Sequence, residues 1–261
     1  MKKQFLLALL LAVLRPHAQV RQHPPADRTG RWSFALAAGI AAPVGSFAGI
    51  ETPAGHADTH TGLAAELSVH YRFSPYISGV IAVSSQSNTG EGVLYIPEKY
   101  RDPSNLPAPN IDYTDNSWKI ARLLGGVAIN LPIRNDGRLN FFFRELAGVQ
   151  KTRAADTDQN FMADIWLGTP HNLYKVSYPG PSFPTAFAWE TGIGISYKGV
   201  RNWGFVAYTG ISGSSPAKDL TYRGGSYSLY TQHTTVPTTT AHCQIGGVYF
   251  FPYSKKISVA P

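Results

Sequence analysis

Two short motifs that contain histidine could support metal binding or catalysis in this 261-residue sequence. His56, Asp58 and His60 form an H-x-D-x-H pattern, and alternate side chains of an extended segment lie on one side, where they could bind one divalent metal ion. A nucleophilic enzyme needs a hydroxyl or thiol beside a histidine that an acid orients, and His233-Thr234-Thr235 is the nearest arrangement. The alternative explanation is that both motifs are ordinary polar loop tips, which have the same composition. We therefore expect no metal, no cofactor and no enzyme activity.

A third set of ionisable residues alternates with apolar residues along extended segments. Glu66, His70 and Arg72 share one face of such a segment, and the same spacing applies to charged residues further along the chain. Charges in a narrow interior are costly unless they are paired. If these faces enclose a lumen, we predict an ion-pair network in which two glutamates meet two arginines, with a gate or narrow conductance pathway as the functional alternative. The predicted members are Glu66, Arg72, Arg122, Arg144 and Glu190.

The segments that carry these residues alternate polar and apolar positions with a period of two, which predicts β-strands. We predict eight strands, at residues 32–40, 63–73, 76–85, 118–131, 138–149, 183–198, 203–211 and 239–251. Most are about 10–14 residues long, whereas soluble strands average about 5–6 and membrane-spanning strands need about 9–11. Glu145 falls on an apolar face, so we expect a bulge or a strand end there.

The connections between these strands alternate between long and short. Short turns are predicted at Ser74-Pro75, around 134–137 and at 199–202, and roughly 20 to 30 residues separate the other strands, as in outer-membrane barrels. The predicted fold class is all-β: an eight-stranded antiparallel up-and-down transmembrane β-barrel with four long outer loops and three short periplasmic turns. Aromatic residues at the short-turn ends and chain termini predict an interfacial girdle. Its members are Trp32, Tyr71, Phe73, Tyr76, Tyr197, Trp203, Tyr249 and Phe251.

Composition and the N-terminus agree with a secreted β protein. Charged residues make up 15% of the chain, against about 25% in an average soluble domain, and 25 glycines and 19 prolines oppose long helices. Lys2, Lys3 and the apolar run 5–14 predict a signal peptide, whose removal lowers the net charge from +7 to +4. The single cysteine excludes an intramolecular disulfide. We predict a signal peptide at 1–19, an N-terminal periplasmic segment at 20–30, the barrel at 31–251 and a short periplasmic tail at 252–261.

Together with the signal peptide and the loop alternation, two segments carry a family resemblance. The first strand and its exit are glycine-rich at residues 38–47, and the last strand ends in Gly246-Gly247-Val248-Tyr249-Phe250-Phe251. In these features the chain resembles the OmpA/OmpX-like family of eight-stranded outer-membrane barrels. The resemblance implies the outer membrane of a diderm bacterium as its location, and recognition of the last strand by the barrel assembly machinery. Residues 252–261 continue beyond the aromatic end, but they are too few for the peptidoglycan-binding domain of some relatives.

The predicted outer loops are rich in tyrosine, which offers a large contact area and a hydrogen bond at small entropic cost. We predict a structural or surface-interaction role through these loops, with a small channel or a subunit of an outer-membrane transport complex as the alternative, and a soluble lipocalin-type barrel as a third hypothesis. The expected partners are outer-membrane lipid, lipopolysaccharide and a possible protein, but no nucleic acid. The recognition candidates are Tyr222, Arg223, Tyr227 and Tyr230.

Overall fold

A computed structural model of the chain describes residues 29–52, 55–92, 116–133, 137–155, 157–163, 172–178, 180, 182–223 and 229–252. The predicted signal peptide, residues 20–28 of the predicted periplasmic segment and residues 253–261 of the predicted tail lie outside the described residues. Within the described ranges, no helix is long and apolar enough to cross a membrane.

The described chain is built almost entirely of β-strands. A single 3-10 turn, Gly45–Phe47, follows the first of them. The strands are β1 (Thr29–Pro43), β2 (Gly49–Thr52), β3 (Gly55–Arg72), β4 (Ile77–Gly92), β5 (Asn116–Pro132), β6 (Leu139–Arg153), β7 (Thr157–Ala163), β8 (Asn172–Tyr178), β9 (Ala186–Lys198), β10 (Trp203–Ser214), β11 (Ala217–Arg223), β12 (Leu229–Thr235) and β13 (Thr240–Pro252).

Eight of these strands form one closed sheet. Their order is β1-β13-β10-β9-β6-β5-β4-β3, and β3 pairs with β1 to close the circle. Every pairing is antiparallel, and Leu36 of β1 faces Gly247 of β13 on one side and Leu67 of β3 on the other. The structure therefore confirms the predicted eight-stranded antiparallel up-and-down barrel. Strand β2 pairs with the first residues of β3, where β3 extends beyond the barrel.

The barrel has one end with short connections and one end with long connections. At the short-turn end, the β9–β10 turn has Arg201 and Asn202 at positive φ (56° and 68°), and Trp203 N donates to Val200 O at 3.2 Å. Two central residues with positive φ match the right-handed twist of a two-residue hairpin. At the opposite end, the long connections contain two further hairpins, β7–β8 and β11–β12.

Side chains alternate between the two surfaces of the barrel wall. Outward positions carry large apolar residues that are exposed, such as Leu63, which is 73% exposed. Inward positions carry polar and charged residues together with buried apolar side chains. These side chains occupy the lumen, because an eight-stranded barrel has room only for side chains. The outer surface of the barrel is therefore apolar, whereas its interior contains both polar and apolar side chains.

Three apolar clusters line the interior. One lies toward the short-turn end and includes Phe142, Val206 and Val248, and a second includes Val80, Leu124 and Leu146. The third fills the long-loop mouth of the barrel, where Phe47 packs edge-on against Trp118 with ring centroids 5.5 Å apart. Its buried members are Phe47, Trp118, Ile120, Ala154, Phe183 and Val236. We call this third group the mouth cluster.

Two details of the strand prediction were wrong. The expected bulge or strand end at Glu145 does not occur, because β6 runs through Glu145 in unbroken register with both neighbours. Glu145 points outward and accepts a hydrogen bond from Thr191 on β9, so the strand needs no irregularity to place it. Phe183 does not belong to a strand either. Its backbone N donates to Thr152 O at 2.9 Å, and its side chain fills the barrel mouth, so β9 begins later, at Ala186.

Candidate functional site

An ion-pair cluster lies inside the barrel, centred on Arg144 of β6. Arg144 Nη1 lies 2.7 Å from Glu66 Oε1, and Arg144 Nη2 lies 2.7 Å from Glu66 Oε2, so the two groups form a bidentate pair. Arg144 Nη2 also donates to Glu190 Oε1. All three side chains are 2% exposed. Paired, parallel hydrogen bonds between a guanidinium and a carboxylate combine strength with a fixed geometry.

Two aromatic side chains complete this cluster. The guanidinium carbon of Arg144 lies 3.9 Å from the centre of the Tyr208 ring, a cation–π contact. His242 Nε2 lies 3.9 Å from Glu190 Oε1, and the Tyr208 and His242 rings meet edge-on at 5.8 Å. Arg144 is therefore held by two carboxylates and one aromatic face, contributed by strands β3, β9 and β10.

A separate polar layer surrounds Arg122. Its Nε donates to Gln150 Oε1 at 2.7 Å, and its Nη1 donates to Gln86 Oε1 at 3.0 Å. Its Nη2 lies 3.4 Å from Thr240 Oγ1. Gln150 donates onward to Thr152 and Thr238, at 2.9 Å and 2.5 Å. This layer satisfies one buried charge with neutral amide and hydroxyl oxygens.

The structure divides the predicted ion-pair network into these two layers. Glu66 and Glu190 both meet Arg144, whereas Arg122 has no carboxylate within ion-pair distance among the described residues. Arg72 lies at the end of β3 near the short turn and is half-buried. Four further residues of these layers were not among the predicted members of the network: Gln86, Gln150, Tyr208 and His242. Their signal was available, because each occupies an inward position in the alternation.

The barrel interior also contains a Ser-x-His pair that was not among the predicted catalytic candidates. Ser68 Oγ lies 3.1 Å from His70 Nε2 inside the barrel, whereas the histidine–hydroxyl arrangement considered from the sequence was His233-Thr234-Thr235. Ser68 is buried, so a substrate has no access to its hydroxyl. The third member of a catalytic set, an orienting acid, is not hydrogen-bonded to His70 in the described part of the chain.

The two histidine groups that could do chemistry lie at the long-loop end. His56, Asp58 and His60 occupy alternate positions of β3, and His56 faces Glu51 of β2 in the register. Among the residues that the structure describes, no three His, Cys, Asp or Glu side chains are grouped so that they could hold a metal ion. His233 Nδ1 lies 2.7 Å from Asp219 Oδ1, and both side chains are exposed on the β11–β12 hairpin.

The aromatic residues of the predicted girdle lie at the short-turn end of the barrel. Trp32 and Tyr71 are cross-strand partners with ring centroids 4.7 Å apart, and Tyr71 contacts Phe73 at 5.1 Å. On the next part of the wall, Trp203 contacts Tyr249 at 5.0 Å and Tyr249 contacts Phe251 at 5.3 Å. Tyr76 is exposed at the β3–β4 turn, and Tyr197 packs against Phe205 at the end of β9.

Known proteins resemble this chain in architecture rather than in sequence. The sequence matches no protein-family model and no curated protein. The crystal structure of Neisserial surface protein A is similar to this chain with a TM-score of 0.47 and 11% identity, over 85% of this chain and 99% of that one. The attachment invasion locus protein Ail of Yersinia pestis, in complex with the heparin analogue sucrose octasulfate, has a TM-score of 0.35 and 10% identity, with the same coverage. The fold of this chain is a closed eight-stranded antiparallel β-barrel.

In this eight-stranded barrel the recognition candidates lie on a hairpin beyond the wall. Tyr222 and Tyr230 are register partners in β11–β12, and Arg223 faces Leu229. Tyr227 lies outside the described residues. The hairpin joins the barrel through Val236, whose backbone N donates to Pro216 O at 2.9 Å. Since the Val236 side chain belongs to the mouth cluster, the base of the hairpin is fixed to the barrel core.

Proposed function

We propose that this chain is a non-catalytic outer-membrane barrel that anchors recognition hairpins at the bacterial surface. The observation that carries the proposal is the filled interior. From the short-turn end outward, the lumen holds an apolar layer, the Arg144 ion pairs, the Arg122 amide layer and the mouth cluster. Close-packed side chains leave a solid anchor rather than a channel, which favours anchoring over the small-channel alternative.

The outer surface of the wall supports a membrane location. Exposed leucine, isoleucine, valine and aromatic side chains cover all eight strands, as in Leu36, Ile81 and Phe187. Apolar patches of this extent are rare on soluble proteins, and an apolar band of about 25 Å bordered by aromatic residues is typical of outer-membrane barrels. This surface disfavours the lipocalin-type hypothesis, in which the exterior would be polar.

Cations on the outer wall support a contact with phosphorylated lipid. Lys119 and Arg153 are register partners on β5 and β6, Lys151 lies one outward position away, and all three are exposed. They follow the apolar outward residues Leu123 and Val149 toward the long-loop end. Lysine and arginine bind phosphate through charge-assisted hydrogen bonds. In an outer membrane this level meets the phosphates of lipopolysaccharide, which we propose as the lipid partner.

The long hairpins are the proposed recognition surface. Strands β11 and β12 form seven register pairs, from Ala217–Thr235 to Arg223–Leu229, so the segment that carries Tyr222, Arg223 and Tyr230 has defined secondary structure. Binding residues are commonly held on connections that a rigid scaffold positions. A hairpin fixed by Val236 to the core of the barrel meets that description.

Surface labelling of intact cells tests this arrangement. An epitope inserted between residues 224 and 228 is expected to bind antibody on intact cells, whereas the same epitope inserted at residues 134–136 is expected to bind only after the outer membrane is opened. Heat-modifiable migration in detergent gels verifies that both variants are folded. Labelling of both epitopes, or of neither, on intact cells contradicts the proposed topology.

Planar-bilayer recording tests the anchoring role against the channel alternative. The purified barrel is expected to give no steady conductance above the bilayer background. Sustained openings from the unmodified protein would support the channel alternative instead. For the lipid contact, replacing Lys119 and Lys151 by glutamine is expected to reduce the lipopolysaccharide that co-purifies with the barrel. Replacing Ser87, the neutral register partner of Lys119 on β4, by glutamine removes no charge and is expected to leave the amount unchanged.

A further inference from the structure

One carboxylate lies on the outer, apolar surface of the wall. The outward residues of β6 are, in order, Phe141, Phe143, Glu145, Ala147, Val149 and Lys151. Glu145 is four residues from Phe141 and six from Lys151. With a rise of about 3.3 Å per residue and a strand tilt of about 40°, Glu145 lies roughly 10 Å along the membrane normal from the level of Phe141 and roughly 15 Å from the level of Lys151. Glu145 is therefore close to the middle of the apolar band.

The carboxylate is only partly satisfied by this chain. Thr191 Oγ1 donates to Glu145 Oε1 at 2.6 Å, across the β6–β9 register pair. Among the described residues, Thr191 is the one hydrogen-bond donor to this carboxylate. Ionisable residues inside a membrane are costly and mark functional sites together with their partners. A hydrogen-bond partner for the second carboxylate oxygen of Glu145 would therefore have to come from outside the barrel.

Two small outward residues lie beside Glu145. Ala147 and Gly125 are register partners one outward position from Glu145. A Cβ at Gly125 would meet only Val80 O, at 3.9 Å, whereas a Cβ at the neighbouring Gly126 would lie 2.0 Å from Glu145 O. The internal packing requires a glycine at 126 but not at 125. A strand glycine with free space around it is typical of a place where another backbone approaches.

We propose that Glu145, Thr191, Ala147 and Gly125, here called the Glu145 patch, form the surface on which a second copy of this chain docks within the bilayer. Copies inserted in the same direction are related by a two-fold axis along the membrane normal, and such an axis brings the same patch of both copies together. The complementary group is then at the correct depth by symmetry. Two facing carboxyl groups form reciprocal O–H···O hydrogen bonds, each donating to the other, while Thr191 donates to the remaining lone pair.

Small residues complete the fit. Interfaces between membrane-spanning helices are enriched in small residues, because close packing replaces the hydrophobic effect as the driving force. The same reasoning applies to two barrel walls that meet in lipid. Ala147 has Gly125 of β5 and Trp189 of β9 as its two register partners, and Phe143 lies four residues away along β6. Both Phe143 and Trp189 are exposed. The two copies therefore approach at the small residues and interlock at the large ones.

Disulfide cross-linking of the purified barrel in lipid vesicles tests the proposal. The background carries Cys243→Ser, since Cys243 is itself exposed. An Ala147→Cys variant is expected to form a covalent dimer on mild oxidation. The matched control is Ala38→Cys, an exposed outward alanine on β1, which is four strands away around the ring of eight. No dimer from Ala147→Cys, or equal dimer from Ala38→Cys, overturns the proposal.

Substitutions of Glu145 test whether the dimer depends on hydrogen bonds between the two carboxyl groups or arises from random collisions of barrels in the vesicle. Glu145→Gln preserves dimerisation, because two amides also form reciprocal hydrogen bonds. Glu145→Leu is expected to weaken dimerisation about tenfold or more, which corresponds to losing a hydrogen-bonded pair in the membrane. Heat-modifiable migration verifies folding of each variant, and Förster transfer between labelled copies measures association without oxidation. Equal association of the Leu and Gln variants contradicts the role of the carboxyl pair.

Discussion

Arg144 and Glu66 are joined by two parallel hydrogen bonds of 2.7 Å across the interior of the barrel. They belong to β6 and β3, which are separated in the sheet by β5 and β4. The pair therefore connects parts of the wall that share no backbone hydrogen bond. Glu190 binds the same guanidinium from β9, so Arg144 connects β6 to both β3 and β9 at the same height in the barrel.

Arg144→Met is expected to destabilise the barrel more than Glu66→Gln or Glu190→Gln. Removing one partner of a buried ion pair costs about 3–5 kcal/mol, and losing Arg144 leaves two carboxylates without their cation, whereas either glutamine leaves one carboxylate paired. Urea titration of the barrel in lipid vesicles measures the free energy of unfolding. The triple variant Glu66→Gln, Arg144→Met, Glu190→Gln recovers part of the loss. Equal values for the single variants contradict this account.

Arg122→Lys is expected to be nearly as destabilising as Arg122→Met. The guanidinium of Arg122 reaches Gln150, Gln86 and Thr240 with three separate nitrogens, and an ammonium is a compact charge that lacks this planar fork. Each buried acceptor left without a donor costs about 1–3 kcal/mol. The same urea titration compares the two variants. If lysine preserves the wild-type stability, charge rather than the fork geometry holds this layer.

The inward positions of this interior were predictable from the sequence, but its pairings were not. The alternation of polar and apolar residues with a period of two places Glu66, Arg122 and Arg144 on the inner face. A slip of one residue would move every side chain of a strand to the other face of the sheet. Glu66, Ser84 and Arg122 even lie in one hydrogen-bonded row of the sheet. The strands tilt as the barrel closes, which moves Arg122 toward the mouth and Arg144 opposite Glu66. That displacement depends on the closed register, which no single strand encodes.

Two residues show why local pattern rules failed. Glu145 broke the alternation of its own strand, but its partner Thr191 is 46 positions away in sequence, and only the pairing of β6 with β9 brings the two together. Phe183 continues the alternation of the following strand, but its ring is instead buried in the mouth of the barrel, where it packs in the mouth cluster. In both cases a contact between distant segments decided the outcome.

The mouth cluster predicts a large effect of Trp118→Ala. Trp118 is 1% exposed and packs against Phe47 and its neighbours, and replacing a buried aromatic residue by alanine costs about 3–5 kcal/mol. Trp189→Ala is the matched control, because Trp189 is 40% exposed on the outer wall and leaves no internal cavity. Urea titration in vesicles is expected to show the larger loss for Trp118. A larger loss for Trp189 would mean that the mouth is not packed as described.

Arginine substitutions on the outer wall distinguish a membrane barrel from a soluble one. Leu36 is an exposed outward residue in the middle of β1, and Ser87 is an exposed outward residue of β4 nearer the long-loop end. On the lipid face, arginine costs about 2–4 kcal/mol at the bilayer midplane and about 0–1 near the interface. Leu36→Arg is therefore expected to destabilise the barrel in vesicles by more than Ser87→Arg.

On a soluble barrel, both changes would be surface substitutions, which usually stay within about 0.5 kcal/mol of the wild type. The comparison is made by urea titration in vesicles, with heat-modifiable migration to show that each variant inserts. Because Leu36 and Ser87 are both exposed, the difference between them depends on depth in the bilayer and not on burial in the protein. Equal, small effects at both positions would contradict the membrane location itself.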